Sequence, residues 1–164
     1  MAQVITAPSN ETPKYPACFL AGGISNCWEW QKAVIDNLDN VMVSLYNPRQ
    51  EHFDVSDANA SEKQIAWEYE RLETMDIFSM YFCNDDSDQP ICMYELGRNI
   101  LRMQNRFPSD WQKRIVISVE QGYRRAKDVV IQTRLCAPNL NVDKDANPHR
   151  HAMHILEAVR DLHR

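Results

Sequence analysis

The chain lacks the features that mark a membrane protein, a secreted scaffold or a general nucleic-acid binder. No apolar run approaches the roughly 20 residues that a membrane span needs. Met1 to Pro16 has neither an early basic cluster nor an apolar segment of the kind a secretory signal carries. Cysteine is sparse and odd in number: Cys18, Cys27, Cys83, Cys92 and Cys136, with no C-x-x-C. That is no disulfide framework, and the five read as reduced, mostly buried thiols of a cytoplasmic protein. Positive charge is in deficit, with 18 Lys+Arg against 23 Asp+Glu and a net charge of −5. Nucleic-acid binding is dominated by phosphate neutralisation, so no nucleic-acid partner is expected, and no membrane partner either. Three catalytic signatures are absent as well: a Walker loop, a G-x-G-x-x-G fingerprint and a G-x-S-x-G elbow.

What remains is ordinary globular composition. The 164 residues, 44% hydrophobic and 25% charged, suffice for one domain with a sizeable core. Residues 1–16 hold three of the eight prolines and read as a loose N-terminal arm, leaving 17–164 as a single domain. Short apolar runs then alternate with helical patterns. Strands are predicted at Ala17–Ala21, Val41–Tyr46, Ile77–Cys83, Ile115–Val119 and Val129–Gln132. Helices are predicted after Ser25 or Asn26 as N-cap, from Ser61 with Ile65, Tyr69 and Leu72 as the buried stripe, over 91–104, and around Ala152 to Val159. Alternating strands and helices imply an α/β fold: a small doubly wound, flavodoxin- or Rossmann-like sandwich on a five-stranded, mainly parallel sheet. Ligands in such folds bind beyond the carboxyl ends of the strands.

Three features lie there. Glu95, in Ile91-Cys92-Met93-Tyr94-Glu95-Leu96-Gly97, falls near the start of a helix and off its stripe of Cys92, Leu96, Ile100 and Met103. A first-turn position would hold its carboxyl low and ionised, which suits a nucleophile; a solvated glutamate is the plainer alternative. Glu68 falls on or beside the buried stripe of the preceding helix, where a charge needs a partner or a task. Gly22-Gly23-Ile24-Ser25-Asn26 joins a strand to a helix and lets backbone approach a ligand. Asn84, Asp86, Asp88 and Glu95 mimic calcium-loop spacing, but Gln89 stands where the glycine belongs and a strand precedes them. His149, His151 and His154 read as an exposed cluster rather than a metal site.

The ordered series Phe19-Leu20-Ala21-Gly22-Gly23-Ile24, Tyr46-Asn47-Pro48-Arg49, Gln64-Ile65-Ala66-Trp67-Glu68, Asp76-Ile77 and Pro90-Ile91 through Glu95-Leu96-Gly97 resembles the nucleoside 2-deoxyribosyltransferase-like family. The resemblance runs from about Phe19 to Val130. It implies that Glu95 is the nucleophile, that Glu68 binds and positions substrate, and that Asp88, with Asp85 and Asp86 as competitors, assists base protonation or sugar contacts. It makes Gly22, Gly23, Ile24, Ser25, Asn47, Arg49 and Trp67 candidate substrate-binding residues. Trp28, Tyr46 and Phe53 are candidates to stack a base or to pack in the core.

The implied reaction is transfer of a 2-deoxyribosyl group between nucleobases by double displacement through a glycosyl-enzyme, which parallels retaining glycosidases. The implied partners are a nucleoside, a free nucleobase and further copies of the chain in a homo-oligomer; no metal or other cofactor is required. Hydrolysis of nucleosides or their 5′-monophosphates is the first alternative. Monophosphate hydrolases of this kind often place a serine shortly before the nucleophile, and Gln89 to Tyr94 contain none. Ser25 and Arg49 are the groups that would serve a phosphate. A non-catalytic nucleoside or nucleotide sensor is the second alternative.

Overall fold

The computed structural model describes residues 1–163. Its elements run β1 (Gln3–Thr6), β2 (Ala17–Gly22), α1 (Trp30–Leu38), β3 (Ser44–Asn47), α2 (Ala60–Thr74), β4 (Ile77–Phe82), α3 (Pro90–Arg106), β5 (Ile115–Glu120), α4 (Ala126–Cys136), β6 (Val142–Ala146) and α5 (Pro148–Leu162). A short 3-10 turn, Trp111–Arg114, leads into β5.

The strands form one six-stranded sheet in the order β1-β3-β2-β4-β5-β6, and every pairing is parallel. β2 and β4 are unbroken buried runs, as expected of parallel strands covered on both faces. Two cores result. Trp67 and Leu72 of α2, Cys92, Leu96, Ile100 and Met103 of α3, and Val129 of α4 cover one face. Trp30, Val34 and Leu38 of α1 and Ala152, Ile155 and Val159 of α5 cover the other. Each fully buried aliphatic side chain stabilises by about 1.5–3 kcal/mol relative to an exposed one. The expected α/β architecture with a parallel sheet is present. β2 has β3 on one side and β4 on the other, so the chain reverses direction across the sheet between β2 and β4. That is the crevice where doubly wound sheets hold ligands.

The sheet has six strands rather than five. Residues 3–6, expected to be loose, are edge strand β1, with Gln3 paired to Ser44 and Thr6 to Asn47. Val129–Gln132, expected as a strand, lies inside α4; a short β-branched run is ambiguous, and packing decided it. The last strand is β6, whose Val-Asp-Lys-Asp-Ala sequence has no apolar run because it lies at the sheet edge. Helix α1 begins at Trp30 with Glu29 at its N-cap, three residues beyond Asn26 and four beyond Ser25, and with no side-chain cap bond. In α2 the buried residues are Trp67 and Leu72, while Ile65 is 65% and Tyr69 48% exposed.

The histidines are not an exposed cluster. His151 is fully buried, with Nε2 2.8 Å from Ser79 Oγ and Nδ1 2.7 Å from Ser118 Oγ. Burial lowers its pKa from 6.5 to about 3, with a smaller contribution from His154. His154 pairs with Asp143 at 3.0 Å, and His149 with Asn37 Oδ1 at 2.8 Å. Among the described residues no group of three or more His, Cys, Asp or Glu is arranged to hold a metal ion. Nor is any described helix long and apolar enough to cross a membrane.

Candidate functional site

A cavity of about 250 Å³ opens at the carboxyl end of β2. This lies near the lower end of the range typical of small-ligand pockets. Phe19, Ala21 and Gly22 supply its strand wall, Gly23 to Ser25 the loop after it, Pro48 the residue after β3, and Ser87 with Gln89 to Cys92 the entry into α3. Glu68 from α2 and Glu95 from α3 complete it. Six of the expected residues therefore converge: Gly22, Gly23, Ile24, Ser25, Glu68 and Glu95.

The two glycines are required by close approach. A Cβ on Gly22 would lie 2.3 Å from Tyr81 O, and one on Gly23 would lie 2.3 Å from Cys27 Sγ. Backbone thus packs directly against neighbours on one side and borders the cavity on the other.

Glu95 is the sixth residue of α3, counted from Pro90, so it sits beyond the first turn. The free N–H groups expected to hold its carboxyl low do not reach that far. Burial, aided by the Glu68 carboxylate and offset in part by Arg98, instead pushes it up from 4.5 to about 7. Glu68 is also raised, by burial, although Gln64 Nε2 donates to its Oε1 at 2.6 Å. The same Gln64 nitrogen lies 2.7 Å from Pro48 O, tying α2 to the end of β3. Among the described residues that line the cavity, none is basic.

The other expected residues stand outside the lining. Arg49 braces the glycine loop: Nη1 donates to Trp28 O at 2.6 Å, and Nη2 to Ile24 O at 2.6 Å and Cys27 O at 2.5 Å. Asn47 Oδ1 accepts from Arg49 N at 3.1 Å. Trp67 is buried, with Nε1 donating to Ser9 O at 2.7 Å and its ring against Phe19 and Tyr46. The Asp88 carboxylate faces solvent and lies 3.6 Å from Arg124, while the Asp88 carbonyl accepts from Tyr123. Asp86 also meets Arg124, and Asp85 accepts from Trp28 N. Trp28 donates to Glu120, Tyr46 is buried in the core and Phe53 is exposed, so none of the three lines the cavity.

Sequence reasoning missed Gln89. It is buried in the left-handed region with φ +50°, and Nε2 donates to Cys83 O at 2.8 Å. A strained residue bordering a cavity is a common functional-site feature. The only sequence signal was its place before Pro90, which usually favours an extended conformation.

A family profile described as nucleoside 2-deoxyribosyltransferase like matches residues 15–107, more than half of the chain. The chain belongs to that family. The matched span holds β2 through α3 and so every element that lines the cavity. No curated protein matches the chain. Membership supports a glycosyl-transfer function on nucleoside substrates.

Proposed function

We propose that this family member transfers a 2-deoxyribosyl group from one nucleobase to another by double displacement on Glu95. The observation that carries the reading is the convergence of Glu95 and Glu68 in one cavity beside the glycine loop. Both carboxyls are raised by burial, Glu95 further by the Glu68 charge, and near neutrality such neighbours favour one charge and one proton. In the productive form Glu95 is ionised and attacks the anomeric carbon, while Glu68 carries the proton that the departing base needs. Departure of the base gives a glycosyl-enzyme, and attack by a second base regenerates Glu95 with retention at the anomeric carbon. Asp88, outside the cavity lining, is left without a direct role. Gly22, Gly23, Ile24 and Ser25 border the substrate; Arg49 and Asn47 hold that loop, and Trp67 supports the wall behind Phe19.

The lining favours nucleosides over their monophosphates. It presents two acidic side chains and no basic one, and the Arg49 guanidinium is committed to three carbonyls. The expectation of a homo-oligomer finds support in Ile65, Tyr69, Ile91 and Tyr94, all exposed on the two helices that carry Glu68 and Glu95; sedimentation would test it.

The decisive experiment mixes the protein with a deoxynucleoside and a different free base, alongside Glu95→Ala. A new deoxynucleoside that disappears in the variant is expected. Free base released without exchange would make the protein a hydrolase, and bound ligand with no turnover would make it a sensor.

A further inference from the structure

Directly behind the glycine loop lies a pair of thiols that the proposed chemistry does not use. Cys83 directly follows β4 and is fully buried; Cys27 lies in the loop after β2 and is half-buried. Cys27 packs against the core cluster that contains Cys83. Gly23 lies against both Cys27 Sγ and the Gln89 side chain, whose Nε2 donates to Cys83 O at 2.8 Å, so the two cysteines meet at one spot; burial, with Cys27 beside it, raises the Cys83 thiol above its ordinary range. Cys27 also lines a solvent-open hollow with Asn26, Trp28, Asp85 and Asp86. One sulfur therefore meets solvent, and the other stands behind it, buried and protonated. The remaining cysteines differ. Cys18 is enclosed in the core, Cys92 lines the cavity, and exposed Cys136 only touches Thr133 O of its own helix.

We propose that Cys27 and Cys83 form an oxidisable dithiol, a modification site at which a small peroxide generates an intramolecular disulfide. Cys27 sulfur attacks the peroxide, the O–O bond breaks, and a sulfenic acid and one water result. Cys83 sulfur then attacks the sulfenic sulfur, displacing its hydroxyl as a second water and closing the S–S bond. Two thiols and one hydrogen peroxide thus give one disulfide and two waters, with the peroxide reduced. The chain permits the approach because Cys27 lies in a loop, past the left-handed Asn26 at φ +54°. Closure has a neighbour to inform: Cys27 Sγ packs against Gly23, whose other side borders the cavity.

The test treats reduced full-length protein with an equivalent of hydrogen peroxide, caps free thiols with N-ethylmaleimide, and maps peptides without reduction. Cleavage before aspartate separates Cys83 from Cys92. Expected is a Cys27–Cys83 linkage within one chain, lighter by two hydrogens, reversed by dithiothreitol and unaffected by Cys136→Ser. Cys27→Ser should abolish the linkage and leave Cys83 capped. Recovery of Cys27 free or over-oxidised with Cys83 still a thiol, persistence of a link in Cys27→Ser, or links only through Cys136 would each overturn the proposal.

Discussion

Two clusters of buried titratable groups lie on opposite faces of one sheet and respond to pH in opposite directions. On one face His151 is sealed between Ser79 and Ser118, both ring nitrogens are satisfied, and burial holds it neutral. On the other face Glu95 and Glu68 border a cavity, both raised by burial and Glu95 further by the Glu68 charge. The first arrangement makes charge unnecessary, as a structural site does. The second stores unfavourable charge beside open space, and perturbed carboxyls of that kind mark candidate functional sites.

The sharpest break in the comparison is Glu95→Ala. Loss of the proposed nucleophile should lower exchange on the order of 10⁴-fold or more, measured by product chromatography, with the fold intact by circular dichroism. His151→Ala should do the reverse. It strands two buried hydroxyls and opens a void, so unfolding free energy should fall by about 3 kcal/mol in urea titrations, while turnover per folded molecule changes little. Arg49→Lys keeps charge but loses the fork that binds three carbonyls. A loosened loop should cost about tenfold in kcat/KM, about 1.4 kcal/mol, read from initial rates.

Finer effects come from pH. His151 has a folded pKa below its unfolded value, so its contribution is present above about pH 6.5 and is lost as pH falls toward about 3. Glu95 has a folded pKa above its unfolded value. Its contribution is present below about 4.5 and is lost as pH rises through about 7. Glu95→Gln should therefore raise thermal stability above pH 7 and leave it little changed below pH 4.5. The ionised Glu95 that attack requires also predicts a kcat/KM that rises with pH through an acid limb near pH 7. Glu68→Gln should move that limb to lower pH, because the neighbouring charge that raises Glu95 is gone.

The site was more legible than parts of the fold. Ordered motifs located Glu95, Glu68 and the Gly22–Ser25 loop, since each lies at the end of a strong strand or on a helix that follows one. The loop residues Asn84–Asp88 were not resolvable that way. Their carboxylates look alike in sequence, and only the chain's path sends Asp88 toward Arg124 instead of the cavity. Arg49 was expected to bind substrate, and the structure places its guanidinium on three carbonyls of the loop after β2; a guanidinium that braces carbonyls and one that awaits a phosphate have the same sequence signature. β1 and β6 were missed because edge strands carry few of the apolar residues that betray central ones.

What the sequence determined by itself was the alternation of β2 through β5 with their helices, the parallel sheet, and the two carboxylates placed after strands. These depend on residues near one another in the chain, where periodicity and turn chemistry act. Tertiary structure alone decided that Glu95 titrates near 7 rather than low, that His151 is a neutral core residue, and that Cys27 meets Cys83. Burial and charge proximity come from segments far apart in sequence, and nothing in local pattern reports the distance that folding leaves between them.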